Sequence, residues 1–101
     1  MPITLHNQPG ALTVTLSGEV DHHGARTMMN QLEEAISAHL PGQLILDLSG
    51  VTFMDSSGIA LLLRTHRRIT QLGGTLRVTN IPTQPRKVLD AAGVGRLISL
   101  E

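Results

Sequence analysis

The sequence predicts a single α/β domain: a small mixed, mostly parallel β-sheet flanked by helices, in the order ββαβαβαβ. Three observations carry this. After two opening strands, helix-like and strand-like stretches alternate, and helix-length crossovers imply parallel pairing with right-handed connections. The run Leu44-Ile45-Leu46-Asp47-Leu48 is nearly all apolar, as expected of a central strand covered on both faces. The 101 residues suit one domain, residues 1–101, with a core of its own.

Ile3 and Leu5 alternate with Thr4 and His6, a short first strand. Asn7-Gln8-Pro9-Gly10 is a turn cluster, and a link this short makes an antiparallel hairpin with the second strand. In that strand Leu12, Val14 and Leu16 alternate with Thr13, Thr15 and Ser17, leaving one polar face. Gly18-Glu19-Val20 is expected to leave the strand, and Asp21 to cap the first helix. That helix spans about His22 to Leu40. Ala25, Met28, Met29, Leu32, Ala35, Ile36 and Leu40 form its apolar stripe, and Pro41-Gly42 stops it.

In the central strand, Ser49-Gly50 is expected to break the run. Val51, Phe53 and Met54 then anchor a rigid connection. Asp55-Ser56-Ser57-Gly58 precedes a second helix, Ile59 to Leu72. Its stripe is read as Ile59, Leu62, Leu63, His66, Ile69 and Leu72, widened by Ala60 and Leu61. Arg64, Arg67 and Arg68 lie off the stripe and complement the helix dipole, and Gly73-Gly74 closes the helix. Leu76 and Val78 mark the next strand. A short helix opens at Pro82-Thr83 and Pro85, turns Val88, Leu89 and Ala92 inward, and ends at Gly93. Leu97-Ile98-Ser99-Leu100 reads as the last strand.

Composition narrows the function. Eight basic and eight acidic residues cancel, whereas nucleic-acid binders carry a basic excess. The single aromatic residue, Phe53, leaves nothing to stack bases or sugars on. There is no Cys, hence no disulfide or thiolate chemistry, which suits a reducing cytoplasm. No apolar run reaches the ~18 residues of a membrane span, and Met1-Pro2-Ile3 does not open a signal peptide.

The chemistry-bearing stretch is Asp55-Ser56-Ser57-Gly58. Its plainest role is a helix cap, but two serines exceed what one cap needs. A nucleophile elbow requires Gly-x-Ser-x-Gly, and Met54 stands where its first glycine belongs. His22, His23, His39 and His66 offer no base late in the chain beside a suitable acid. Asp21-His22-His23 is poor as a metal site, because adjacent helical residues point apart. No phosphate-cradling glycine loop is present. These readings give no catalytic residue, no metal and no cofactor. What remains is a modifiable surface. A seryl phosphate adds nearly two negative charges, and a helix N-terminus tolerates it.

The residues also carry a resemblance. Leu46-Asp47-Leu48 through Phe53-Met54-Asp55-Ser56-Ser57-Gly58, then Gly73-Gly74 and Asp90-Ala91-Ala92-Gly93-Val94, resemble the STAS domain of bacterial anti-sigma factor antagonists. Gly18-Glu19-Val20-Asp21-His22-His23 resembles a segment of the sporulation-type antagonists of the anti-sigma F factor. The resemblance implies a cytoplasmic partner switch rather than an enzyme. The unphosphorylated domain binds an anti-sigma factor that is also a serine kinase, phosphorylation releases it, and a serine phosphatase resets it. By this resemblance Ser56 is the phosphoacceptor, and Asp21, His23, Asp55, Ser57 and Gly58 belong to the partner-binding rim. It also implies transcription regulation with no nucleic acid or membrane insertion of its own. Family members often add a helix after the last strand, whereas this sequence stops at Glu101. The same fold serves in transporter tails, stress-signalling assemblies and lipid transport, so an adaptor role is the alternative. A serine hydrolase is the distant one.

Overall fold

The computed structural model describes residues 2–101; Met1 lies outside the described residues. A five-stranded sheet has the spatial order β1-β2-β3-β4-β5, unchanged from chain order. The strands are β1 (Ile3–Gln8), β2 (Ala11–Val20), β3 (Gln43–Met54), β4 (Thr75–Thr79) and β5 (Ser99–Leu100). The helices are α1 (His22–His39), α2 (Ser56–Gln71) and α3 (Thr83–Ala91), and a short 3-10 turn spans Val94–Arg96. Among the described residues only the β1–β2 pair is antiparallel.

The expected two-sided cover does not form. Right-handed crossovers in an unbroken strand order put every helix on the same face; covering both faces needs a reversal of order. Leu12, Val14, Leu16, Leu44, Leu46 and Leu48 are fully buried on that face. Their alternates Thr13, Thr15, Ile45, Asp47, Arg77 and Thr79 are only half-buried. Ile45 therefore lies on the open face, where Arg77 forks onto Glu101 at 2.5 Å.

Both long strands outrun their expected ends. Gly18-Glu19-Val20 stays in β2, and Ser49-Gly50 stays in β3, because the two strands absorb the irregularity together. Register shifts fall between Thr15 and Ser17 and between Gly18 and Glu19, and Gly18 takes φ 91°. Such bulges bend a strand without ending it. Gly50 allows the close pass, since a Cβ there would lie 2.9 Å from the Leu16 carbonyl oxygen. The hairpin turn is also tighter than expected: Asn7 and Gln8 pair with Leu12 and Ala11, leaving only Pro9-Gly10 as the loop.

Helix faces shift as well. In α2 the inward residues are Gly58, Leu61, Leu62, Thr65 and Ile69, so Leu63 and Leu72 are exposed and His66 is half-buried. Thr65 is buried because its hydroxyl donates back to the Leu61 carbonyl at 2.8 Å. Leu40 is the C-cap of α1 at φ 44°, turned outward, and Ala92 is exposed beyond α3. The last strand is only Ser99–Leu100; Leu97 points to solvent while Ile98 joins the core. Gly73-Gly74 does close α2: Gly73 N–H reaches Thr70 O at 3.0 Å and Gly74 N–H reaches Ile69 O at 2.9 Å.

Asp47 gives the open face an acid-sensitive element. Burial alone would raise its carboxyl above the ordinary 3.8, but the Ser49 N–H, at 2.9 Å, and the Ser49 and Asn80 side chains outweigh this and lower it. A carboxyl lowered on folding stabilises the fold above its unfolded value, and this is lost as pH falls through the folded value. The stability gap between wild type and Asp47→Asn should be constant near neutrality and close below about pH 4. Urea titrations from pH 7 to pH 2.5 measure it; a gap independent of pH would contradict this.

Candidate functional site

β2 and β3 end level with each other. Val20 pairs with Met54, and the Asp55 N–H donates to the Val20 carbonyl at 3.3 Å. The next residue on each strand is an aspartate, and each aspartate caps a helix. The Asp21 carboxylate accepts from the Gly24 N–H at 2.7 Å, starting α1. The Asp55 carboxylate accepts from the Ser57 N–H at 2.8 Å, starting α2. Two helix N-termini, each with a half-buried carboxylate, thus stand side by side at the carboxyl end of the sheet.

Three supports fix this corner. Gly24 packs where any Cβ would strike the Glu19 carbonyl oxygen, which explains a glycine in the first turn of a helix. Gly58 is buried over Met54; a Cβ there would come within 2.6 Å of the Met54 sulfur. The third support, Gln84 of α3, was not legible in the sequence. Its side-chain amide accepts from the Met54 N–H and donates to the Met54 carbonyl, both at 2.8 Å, so it acts as a short extra strand. A glutamine in the first turn of a Pro-opened helix was the only local signal.

Asp55 does the capping, so neither serine is needed for it. Ser56 is the first helical residue and is exposed; Ser57 is half-buried. Ser57 faces a groove of about 320 Å³ between α1 and α2, with His22, Arg26, Ala60 and Arg64. His23 is exposed in the first turn of α1. Phe53, expected to anchor the connection, is 41% exposed next to Met54 and adds an apolar element to the same corner. Among the described residues, no group of three His, Cys, Asp or Glu side chains could hold a metal ion. Among them, too, no helix is long and apolar enough to cross a membrane.

The cap makes a direct expectation. Asp55→Ala should cost about 1 kcal/mol of stability, and Asp55→Asn much less, since Asn caps comparably. Urea unfolding reads both; equal losses in the two variants would mean that Asp55 stabilises α2 by charge rather than as a cap.

Comparison with known proteins identifies the family and the fold. The model of the STAS domain matches residues 2–101. The anti-sigma F factor antagonist of Paenibacillus polymyxa is 32% identical over 100 residues, covering 99% of this chain and 86% of that protein. The structure of the anti-sigma factor antagonist SpoIIAA in its unphosphorylated form superposes with a TM-score of 0.81 at 26% identity, covering 98% of this chain and 87% of that one. The Bacillus cell fate determinant SpoIIAA in the phosphorylated form gives a TM-score of 0.73 at 26% identity, covering 98% and 90%. With the family model spanning nearly every residue, the chain belongs to the STAS domain family.

Proposed function

We propose that this chain is an anti-sigma factor antagonist controlled by phosphorylation of Ser56. The observation that carries the proposal is the division of labour at the α2 N-terminus. Asp55 holds the cap, and Ser56, one residue later, is exposed with no structural duty. A hydroxyl so placed can be modified without unfolding its helix. The kinship to antagonists of the anti-sigma F factor, and to a protein with unphosphorylated and phosphorylated forms, supports the same reading.

In this reading the unmodified corner is the docking face. Asp21, His23, Asp55 and Ser57 supply polar contacts, Phe53 an apolar one, and Gly58 lets α2 sit close on Met54. The partner is a cytoplasmic anti-sigma factor with serine kinase activity, and binding it frees the sigma factor. The kinase places a phosphate on Ser56, and a serine phosphatase removes it. The domain is a substrate of that chemistry and not its catalyst.

The physics favours release over collapse. The new phosphate brings about −1.5 to −2 charges beside two helix N-termini, whose dipoles and free N–H groups favour an anion, so the fold survives. The same phosphate joins the carboxylates of Asp21 and Asp55 on one small rim. A unit charge pair at 4 Å is worth roughly 1–4 kcal/mol between water and a protein surface. Each ~1.4 kcal/mol is tenfold in affinity, so a loss of two decades is within reach.

The test uses the anti-sigma F factor of Paenibacillus polymyxa, with and without ATP. Ser56→Ala should bind it and hold through ATP addition. Ser56→Asp should stay folded and bind at least tenfold more weakly. Ser57→Ala should still accept phosphate. Asp21→Asn, which keeps the cap, should weaken binding without lowering stability. Titration calorimetry gives the affinities and site-resolved mass spectrometry the modified residue. Phosphate on Ser57 and not on Ser56 would overturn the assignment.

A further inference from the structure

The side of the sheet far from this corner carries a second feature. β1 is an outer strand, and its six residues run in unbroken register against β2. Proteins ordinarily blunt such edges with Lys, Pro, bulges or very short strands. The opposite edge is managed in this way: β5 has two residues and is followed by the Arg77–Glu101 ion pair. β1, Ile-Thr-Leu-His-Asn-Gln, has no Lys, no Pro, no bulge and no carboxylate.

The ladder shows which backbone groups are free. The Ser17 N–H donates to the Pro2 carbonyl at 2.9 Å, so the position opposite Ser17 is a hydrogen-bonded one. In an antiparallel pair these positions alternate. Pro2, Thr4, His6 and Gln8 therefore turn their backbone groups toward β2. Ile3, Leu5 and Asn7 turn their N–H and C=O groups outward. Their side chains share the helix-covered face, since Ile3 stands opposite Leu16 and Leu5 opposite Val14. Leu5 is nonetheless 43% exposed. Beside it a groove of about 530 Å³ runs between β1 and α1, lined by Ile3, Leu5, Gln31, Glu34, Ala35 and His39. The Gln31 Oε1 is buried there and has no hydrogen-bond partner among the described residues.

We infer that β1 is a dimerisation edge, whose occupant is β1 of a second copy of this chain, added antiparallel about a two-fold axis at Leu5. Symmetry fixes the register: Leu5 faces Leu5, and Ile3 faces the partner's Asn7. The occupant is chosen by complementarity. α1 and β1 both run opposite to β2, so they run in the same direction, and Gln31 lies toward the Ile3 end of the groove. The two-fold brings the partner's Asn7, an amide donor on the same face, to that end, where the Gln31 oxygen needs a donor. It also sets the acidic Glu34 toward the end of the groove where the partner's His39 lies. Leu5 closes against its own copy, and the three outward residues on each strand gain their missing hydrogen bonds. The result is a ten-stranded sheet with both phosphorylation corners left free. The contact is short, so the dimer is weak and concentration-dependent.

Sedimentation equilibrium of the full chain from 5 to ~500 μM is the first arm, a span that covers weak association. The wild type should show a reversible monomer–dimer equilibrium. Leu5→Pro removes an outward N–H, which an edge strand tolerates, and Leu5→Lys places a charge on the axis. Both should weaken the dimer at least tenfold. Should the proline variant unfold, the lysine variant carries the result. The absence of native cysteines permits a second arm. Facing residues in a hydrogen-bonded pair have Cα atoms about 5.5 Å apart, within disulfide reach. Leu5→Cys should cross-link to a dimer under mild oxidation, and Thr4→Cys, on the opposite face and off the axis, should not. A chain that stays monomeric throughout would overturn the inference. So would a dimer untouched by Leu5→Lys, or equal cross-linking of both cysteine variants.

Discussion

Two adjacent parallel strands finish at the same height, and each is followed at once by an aspartate. The rest of the site depends on that alignment. Because Val20 pairs with Met54, Asp21 and Asp55 stand next to each other. Each carboxylate takes up a backbone N–H that its helix would otherwise leave unpaired. The two helices then begin together, with their positive ends converging. Ser56 inherits its position from this: it is the first residue past a cap that another side chain already supplies. Gln84 holds the strand end from the far side, and Gly24 and Gly58 give the backbone its close approach.

The bulges in β3 serve the same scheme. Ala11 to Val20 pairs with the longer span Gln43 to Met54, so an undistorted β3 would run past the end of β2. The shifts near Ser17 and Glu19 instead bring the two strand ends level. Gly18 at φ 91° and the narrow pass at Gly50 are the residues that permit it. What looks in the sequence like two strand breaks is one continuous pair adjusted along its length.

Sequence patterns made some of this legible and hid the rest for definite reasons. Alternation of apolar and polar residues located β1, β2 and β4, and the capping aspartates located both long helices. The run Leu44 to Leu48 misled about layers, because one open-face isoleucine makes an alternating strand look continuous. Face cover depends on strand order, which no single strand encodes. The α2 stripe slipped by about one position because Thr65 satisfies its hydroxyl within its own helix and packs as an apolar residue would. Gln84 was invisible because its partner, Met54, lies thirty residues away in sequence. For the site, composition and capping led only to a modifiable surface serine. The specific reading of Ser56 came from resemblance, and the twin-cap geometry supplies its physical rationale.

One phosphate on Ser56 is held to change the surface of a corner and leave the fold alone. Amide ¹H–¹⁵N correlation spectra of the domain before and after stoichiometric phosphorylation test this most directly. Sizeable shifts are expected, confined to the first turns of α1 and α2 and the ends of β2 and β3, with β1, β4 and the rest of α1 unmoved. Shifts spread through the core, or loss of dispersion in α2, would show that the phosphate acts by unfolding and would contradict a surface switch.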